Sequence, residues 1–272
     1  MGVSSSSGQA AGYFVRASAQ MWPVYEDYRL EPGYLVAVGD IARRYDPLKR
    51  EDVLTEFRRL REGEDAPLVA FARSWGLLGC GAIDVPGPDT DDSVRQEDAL
   101  GWIWSHVRQV RLVFELYHYL RSGNRDELRR VLDATPAWFP PPSERERVML
   151  VWSLEFEGSQ LRLALREPAE MAEDIIAGIL NKNLRGVLHR VTTAPLRLVE
   201  YSPSLVVAIY WHLANLVARG RLLRRCRECG DLFPVTDMRQ RYCPAPYRSR
   251  GKGGSLCGAQ ARKRRQRHKK GG

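Results

Sequence analysis

Apolar positions recur along this chain with two periods, and each predicts its own kind of element. Leu100, Ile103, Val107, Val110, Phe114, Tyr117 and Leu120 return at alternating steps of three and four. That spacing places them on one face of a helix of roughly six turns ending before Gly123, with Trp102 and Trp104 widening the stripe. Glu170 to Val191 predicts a second long helix, its stripe carrying Met171, Ile175, Ile176, Ile179, Leu180, Leu184, Val187 and Leu188. Arg185, His189 and Arg190 fall near its end, where cations suit the helix dipole. Leu205, Val206, Ile209, Leu213, Leu216 and Val217 line a third helix, with Ser202 and Pro203 as N-cap and first-turn pair and Gly220 as its stop.

Shorter helical pieces are read at Leu54, Phe57 and Leu60, and from Leu68 to Leu78, the latter ending at Gly76 or Gly79. Asn124 with Glu127 makes a capping-box-like start for a short helix through Leu132, which the proline-rich ATPAWFPPPSE breaks.

Alternation of period two predicts strands. Leu150, Trp152, Leu154 and Phe156 alternate with polar positions, Gly158 and Ser159 form a two-residue turn, and Leu161, Leu163 and Leu165 alternate on the return, so that both arms present one apolar face. From Tyr13 to Glu51, aromatic and apolar residues mix with Pro and Gly without a helical period, which predicts short strands and loops. Residues 1–12 read as a disordered leader and residues 81–95 as an exposed acidic loop. The fold class expected is mainly α with a small β component (α+β): a helical domain over residues 13–220 with one β-hairpin, then a smaller module over residues 221–272.

Charge separates the same two parts. The 272-residue chain has a formal net charge of +9. Residues 221–272 hold 16 Lys and Arg against 3 Asp and Glu, while the rest holds 26 against 30. The polyanion-seeking surface therefore belongs to the C-terminal module. No apolar run approaches the 18 or so residues of a membrane span. Acidic Asp89, Asp91 and Asp92 lack the spacing of a calcium loop. His106 and His118, twelve residues apart on the first long helix, read as packing or surface histidines.

Four of the five cysteines, Cys226, Cys229, Cys243 and Cys257, follow the spacing C-x2-C-x13-C-x13-C. A pair two residues apart grips one ion from a tight turn, and two further thiols close a tetrahedral sulfur shell suited to one structural Zn²⁺. Clustering of this kind points to metal and a reducing cytoplasm rather than to disulfides, and Cys80, in WGLLGCGAI, reads as a small buried residue. Gly230 permits the positive φ of a knuckle. Phe233, Val235 and Tyr242 predict a hairpin around TDMRQR that returns Cys243 to the first pair. Cys257 is placed at the N-terminus of a basic helix, so the whole reads as a treble-clef-like finger. A catalytic zinc would keep an open position, whereas four thiolates close the shell. No P-loop, HExxH, GxSxG or dinucleotide fingerprint occurs, and the chain reads as a non-enzyme.

Arg225, Arg227 and Arg241 suit the net negative charge of a zinc tetrathiolate, but the remaining cations exceed what one site can use. Arg262, Lys263, Arg264, Arg265, Arg267, Lys269 and Lys270 surround the last helix, and Arg248, Arg250 and Lys252 stand in a basic loop before it. Like charges at these spacings repel, and a polyanion relieves them. Together with Arg241 these residues are the expected contacts to nucleic acid.

The module, with CRECG, LF, RQRYC and CGAQARKRRQR, resembles the CGNR zinc-finger family of bacterial proteins, and FARSWGLLG and YWHLANLVARGRLLRRC are loosely similar to the region preceding that finger. Ala259 and Gln260 stand where the family has Asn and Arg, and the spacing from Cys243 to Cys257 is longer than the family's. The resemblance implies zinc on the four cysteines and a transcription regulator whose N-terminal region senses a small-molecule or protein effector. An RNA- or protein-binding zinc module, or an enzyme anchored by the finger, are the alternatives from other classes.

Overall fold

The computed structural model of the protein describes residues 21–79, 96–138, 167–184, 188–193, 196–202, 204–244 and 255–270. The leader, Cys80, the acidic loop 81–95 and the hairpin read at 150–165 lie outside the described residues. Within them the fold is α+β, with seven α-helices and small antiparallel sheets.

The chain first pairs strand β1 (Trp22–Glu31) with β2 (Tyr34–Tyr45), and β2 pairs in turn with the short β3 (Glu97–Ala99). The short strands expected here are thus a long hairpin. Register shifts at Val24/Tyr25 and Tyr25/Asp27 hid the alternation from the sequence pattern. Gly39, at φ +77°, sits in the bulge, where a Cβ would run into the Glu26 side chain.

Helices α1 (Asp52–Arg58) and α2 (Asp65–Trp75) follow, the second capped by Gly76 as expected. They pack Phe57 and Phe71 together at 5.6 Å between ring centroids, beside fully buried Trp75. Helix α3 (Leu100–Ser122) starts where Leu100 N–H donates to Gly33 O (2.8 Å) and ends at left-handed Gly123. It is the hub, since α1, α4 (Arg125–Trp138), α5 (Pro168–Leu184), α6 (Leu205–Ala218) and the later strand β6 (Leu223–Arg225) all pack on it. Leu112, Val113, Leu116 and Tyr119 are therefore buried as well as Ile103, Val107, Val110, Phe114 and Tyr117 of the expected stripe, whose ends Leu100 and Leu120 are half-buried, while Trp102 is exposed at 56%.

Three expectations change. Helix α4 runs on to Trp138, six residues past Leu132, because a proline this near a helix end removes one bond and leaves the earlier turns intact. Glu127 N–H does donate to Asn124 Oδ1 (3.2 Å), as the capping pattern required. Helix α5 stops at Leu184, and Leu188, His189, Arg190 and Val191 belong instead to a hairpin of β4 (Leu188–Thr193) and β5 (Leu196–Tyr201). Val187 and Leu188 satisfy both periods, and the β-branched run Val191, Thr192, Thr193 favours the strand. The N-cap of α6 is Ser204, whose Oγ accepts from Val207 N–H (3.4 Å), and Ser202 donates to the Ser204 carbonyl (2.7 Å).

A polar string runs through the helical core. His106 Nδ1 lies 3.1 Å from the Tyr210 hydroxyl, and that hydroxyl donates to Gln109 Oε1 (3.3 Å), which also accepts from Asn183 Nδ2 (3.2 Å). It joins α3, α5 and α6. Burial, with nearby Lys182 adding to it, pulls the His106 imidazole down to about 4.

Candidate metal centre

Helix α6 delivers the chain to the cysteines. Gly220, at φ +62°, reverses the backbone, and Arg221 N–H returns to Leu216 O (3.1 Å). Strand β6 then pairs with β7 (Leu232–Pro234), and the five residues Cys226–Gly230 form the knuckle between them. Cys226 N–H donates to Asp231 O (2.8 Å), and Gly230 N–H donates back to Cys226 O (2.9 Å). Gly230 has φ +75°, the conformation expected from its place after Cys229.

The hairpin expected around TDMRQR is not formed. Its first arm, Leu232–Pro234, pairs with β6 instead, and side chains close the loop that follows. Arg239 N–H donates to Asp237 Oδ1 (2.8 Å), Gln240 Oε1 accepts from Thr236 Oγ1 (3.0 Å), and Arg224 donates to Gln240 O (2.6 Å). Arg227 N–H donates to Arg241 O (3.1 Å), which carries the loop across the knuckle and sets Cys243 beside it.

Helix α7 (Leu256–Lys270) supplies the fourth cysteine from its first turn. Gly258 N–H donates to Ser255 Oγ (3.2 Å) and Ala259 N–H to Ser255 O (2.9 Å), so Ser255 caps the helix that carries Cys257. The sulfurs of Cys229 and Cys243 are 3.9 Å apart and those of Cys243 and Cys257 3.3 Å. All four cysteine sulfurs lie within 4.8 Å of one another, a group able to hold a metal ion. The four residues are unbridged, with Cys226 and Cys243 buried, Cys257 half-buried and Cys229 exposed.

Burial and the neighbouring sulfurs hold protons on two of the four thiols, while backbone amides draw a third the other way. Burial raises the Cys226 thiol, but the backbone amides of Cys229, Cys243 and Glu228 outweigh it and bring it down to about 7. Burial, then the neighbouring Cys226 and Cys243 thiols, push Cys229 up to about 11, and burial and Cys243 push Cys257 upward too. A cation at the centre would favour the deprotonated sulfurs against both effects.

The module is seated on the helical body. Leu232, fully buried, belongs to the main core. Asp231, next to the knuckle, faces Arg58 (3.9 Å) and Arg61 (3.7 Å). The Arg58 guanidinium is buried over the Phe114 ring, and that burial draws it down to about 10 against the pull of Asp231. Arg225 donates to Glu115 (2.5 Å) and to the Tyr119 hydroxyl (2.7 Å), so it serves the contact with α3 rather than the cysteines. Arg59 donates to Pro244 O (3.1 Å). No pattern in the sequence marks Asp231, Arg58 or Arg61, because their relation is long-range.

Of the expected nucleic-acid contacts, Arg241, Arg262, Lys263, Arg264, Arg265 and Arg267 are exposed on the module. Arg264 pairs with Glu228 (2.8 Å) and Arg265 donates to the Tyr242 hydroxyl (3.2 Å). Lys269 and Lys270 fall at the end of α7, while Arg248, Arg250 and Lys252 lie outside the described residues. No helix among the described residues is long and apolar enough to cross a membrane.

Comparison with known protein families, with curated proteins and with solved structures finds no match to this chain.

Proposed function

We propose that this chain is a zinc-dependent nucleic-acid-binding protein, a regulator that favours DNA over RNA and works in the reducing cytoplasm. The observation that carries the reading is the union of two features in one helix. The first turn of α7 holds Cys257 of the four-sulfur cluster, and the same helix exposes Arg262, Lys263, Arg264, Arg265 and Arg267.

Zinc suits the cluster because a tetrahedron with Zn–S bonds of about 2.3 Å has sulfurs about 3.8 Å apart, close to the 3.9 and 3.3 Å separations here. Bound Zn²⁺ would act structurally, cancelling half of the four thiolate charges and tying α7 to the knuckle. Knuckle first and helix-borne cysteine last is the order of a treble-clef-like finger, and the likeness to CGNR-type fingers supports a regulatory role. Residues 221–272 are then the reading module, and the helical domain over residues 13–220 carries the response to a small-molecule or protein effector.

On α7, Lys263 and Arg267 stand four residues apart, and Arg262 and Arg265 three apart. Such like-charge pairs weaken an isolated helix, and a phosphate backbone relieves them by counterion release. The test is binding of the zinc-loaded protein to a labelled duplex DNA across a range of salt. A log-log slope of about −3 or steeper is expected, at about −0.9 per phosphate neutralised, and tighter binding to duplex DNA than to RNA of the same sequence. A slope near zero overturns the reading.

A further inference from the structure

A shallow, open depression of about 380 Å³ lies where the loop after β7 meets the start of α7. Arg239, Arg241 and Arg262 line it, with Tyr242, Ser255 and Gly258 at its sides, and no Asp or Glu is among its lining residues. The Asp237 turn sets Arg239 and Arg241 on either side of Gln240, whose own side chain is used up in holding Thr236 and the Tyr242 carbonyl. At Gly258 an added Cβ would touch the Tyr242 ring at 3.5 Å and Arg262 Nη1 at 3.7 Å, so that glycine lies where ring and guanidinium come together.

These three arginines differ from their neighbours. Arg58 and Arg61 face Asp231, Arg221 pairs with Glu51, Arg225 with Glu115 and Arg264 with Glu228. Among the described residues, no ion pair or hydrogen bond engages the guanidinium of Arg239, Arg241 or Arg262. Three exposed arginines that line one surface with no carboxylate among the lining residues leave it positively charged, and folding gains nothing from that arrangement. Service to the metal shell does not account for it, since among the described residues no guanidinium hydrogen-bonds a cysteine sulfur.

We infer that this pocket binds a phosphate group of a nucleic-acid backbone and thereby fixes the position of α7 along the strand. The inference rests on the nucleic-acid reading above and adds the place where that contact is made. Guanidinium forks match phosphate oxygens in pairs, which exposed lysines do not. The volume exceeds that of one phosphate, leaving space for the attached sugar.

The test uses the zinc-loaded full chain and a variant with Arg239→Gln, Arg241→Gln and Arg262→Gln. Duplex affinity at 0.15 M salt is expected to fall by about tenfold or more, and the salt slope to become shallower by about 1, with zinc per chain unchanged. Wild-type affinity and slope in the variant overturn the pocket while leaving the nucleic-acid reading intact. Loss of zinc together with binding overturns it too, because the arginines would then serve the thiolates. In a second arm, melting in inorganic phosphate is compared with melting in chloride of equal ionic strength. Stabilisation of the wild type alone supports a phosphate site, and the same stabilisation in a protein that binds no duplex assigns the pocket to free phosphate and overturns the backbone assignment.

Discussion

Around α3 the chain buries Phe57, Trp75, Leu112, Phe114 and Tyr210 to 2% exposure or less, whereas in the C-terminal module the cluster of buried side chains is Cys226, Phe233 and Cys243. Full burial of a large apolar side chain contributes about 1.5–3 kcal/mol, so the first set sustains a fold on its own. The second does not, because two of its three members are thiols whose ionised forms repel. A module of this size with so small a core needs a staple, and the cysteines supply the ligands for one. The two stretches of the chain thus differ in what can hold them folded, a broad apolar core in one and a small core beside four metal-competent cysteines in the other.

The largest effect expected is from Cys226→Ala. It removes a ligand and with it most of the roughly 10–16 kcal/mol that a structural zinc contributes to its module. Zinc per chain should fall below one, and amides of residues 223–270 should exchange rapidly while those of α3 stay protected. Equal loss of protection in α3 would erase the distinction between the two regions.

Phe114→Ala is the mirror experiment. A cavity under α3 should cost about 3–5 kcal/mol in urea unfolding while zinc stays at one per chain. Loss of zinc from the folded variant would show that the module leans on the core more than on its own ligands.

The buried His106 gives the helical body a pH dependence of its own. Its folded pKa of about 4 lies below the unfolded value near 6.5, so the unfolded chain takes up the proton more readily. The contribution is complete above about pH 6.5 and is lost as pH falls toward 4, about 3 kcal/mol in all. Urea midpoints measured across that window should fall less steeply in His106→Gln than in the wild type. Release of any bound zinc acts on both proteins alike, so parallel curves would show that His106 does not set this pH dependence.

The smallest of these effects concerns the seam between the two regions. Asp231→Asn keeps the backbone bonds of the knuckle but removes the carboxylate that most offsets the burial of Arg58, leaving the weaker pull of Glu115, a cost of about 1–3 kcal/mol. A lower melting temperature with zinc retained is expected. An unchanged melting temperature would mean that Leu232 and Arg225, not this pair, seat the module.

What could be read from the sequence follows the range of the interactions. The α3 stripe, the Gly76 and Gly123 stops, the Asn124 cap and the cysteine spacing are local signals, and each is found in place. The β1–β2 hairpin was only half visible, since its bulges shift the alternation midway. Residues 188–191 were misread as helix because one apolar run fits both periods until a strand partner decides between them. The loop after β7 was misread because side chains of Asp237, Gln240 and Arg224 close it where a β ladder was expected. Nothing local could have paired Asp231 with Arg58, or gathered Arg239, Arg241 and Arg262 around one pocket.

Four cysteines whose sulfurs lie within 4.8 Å of one another are expected to close around one zinc ion, with the basic helix projecting from that shell. X-ray absorption at the zinc edge of the purified protein tests it most directly. One zinc per chain with four sulfur neighbours at about 2.3 Å is expected. Nitrogen or oxygen neighbours at about 2.0–2.1 Å, or zinc well below one per chain, would contradict it.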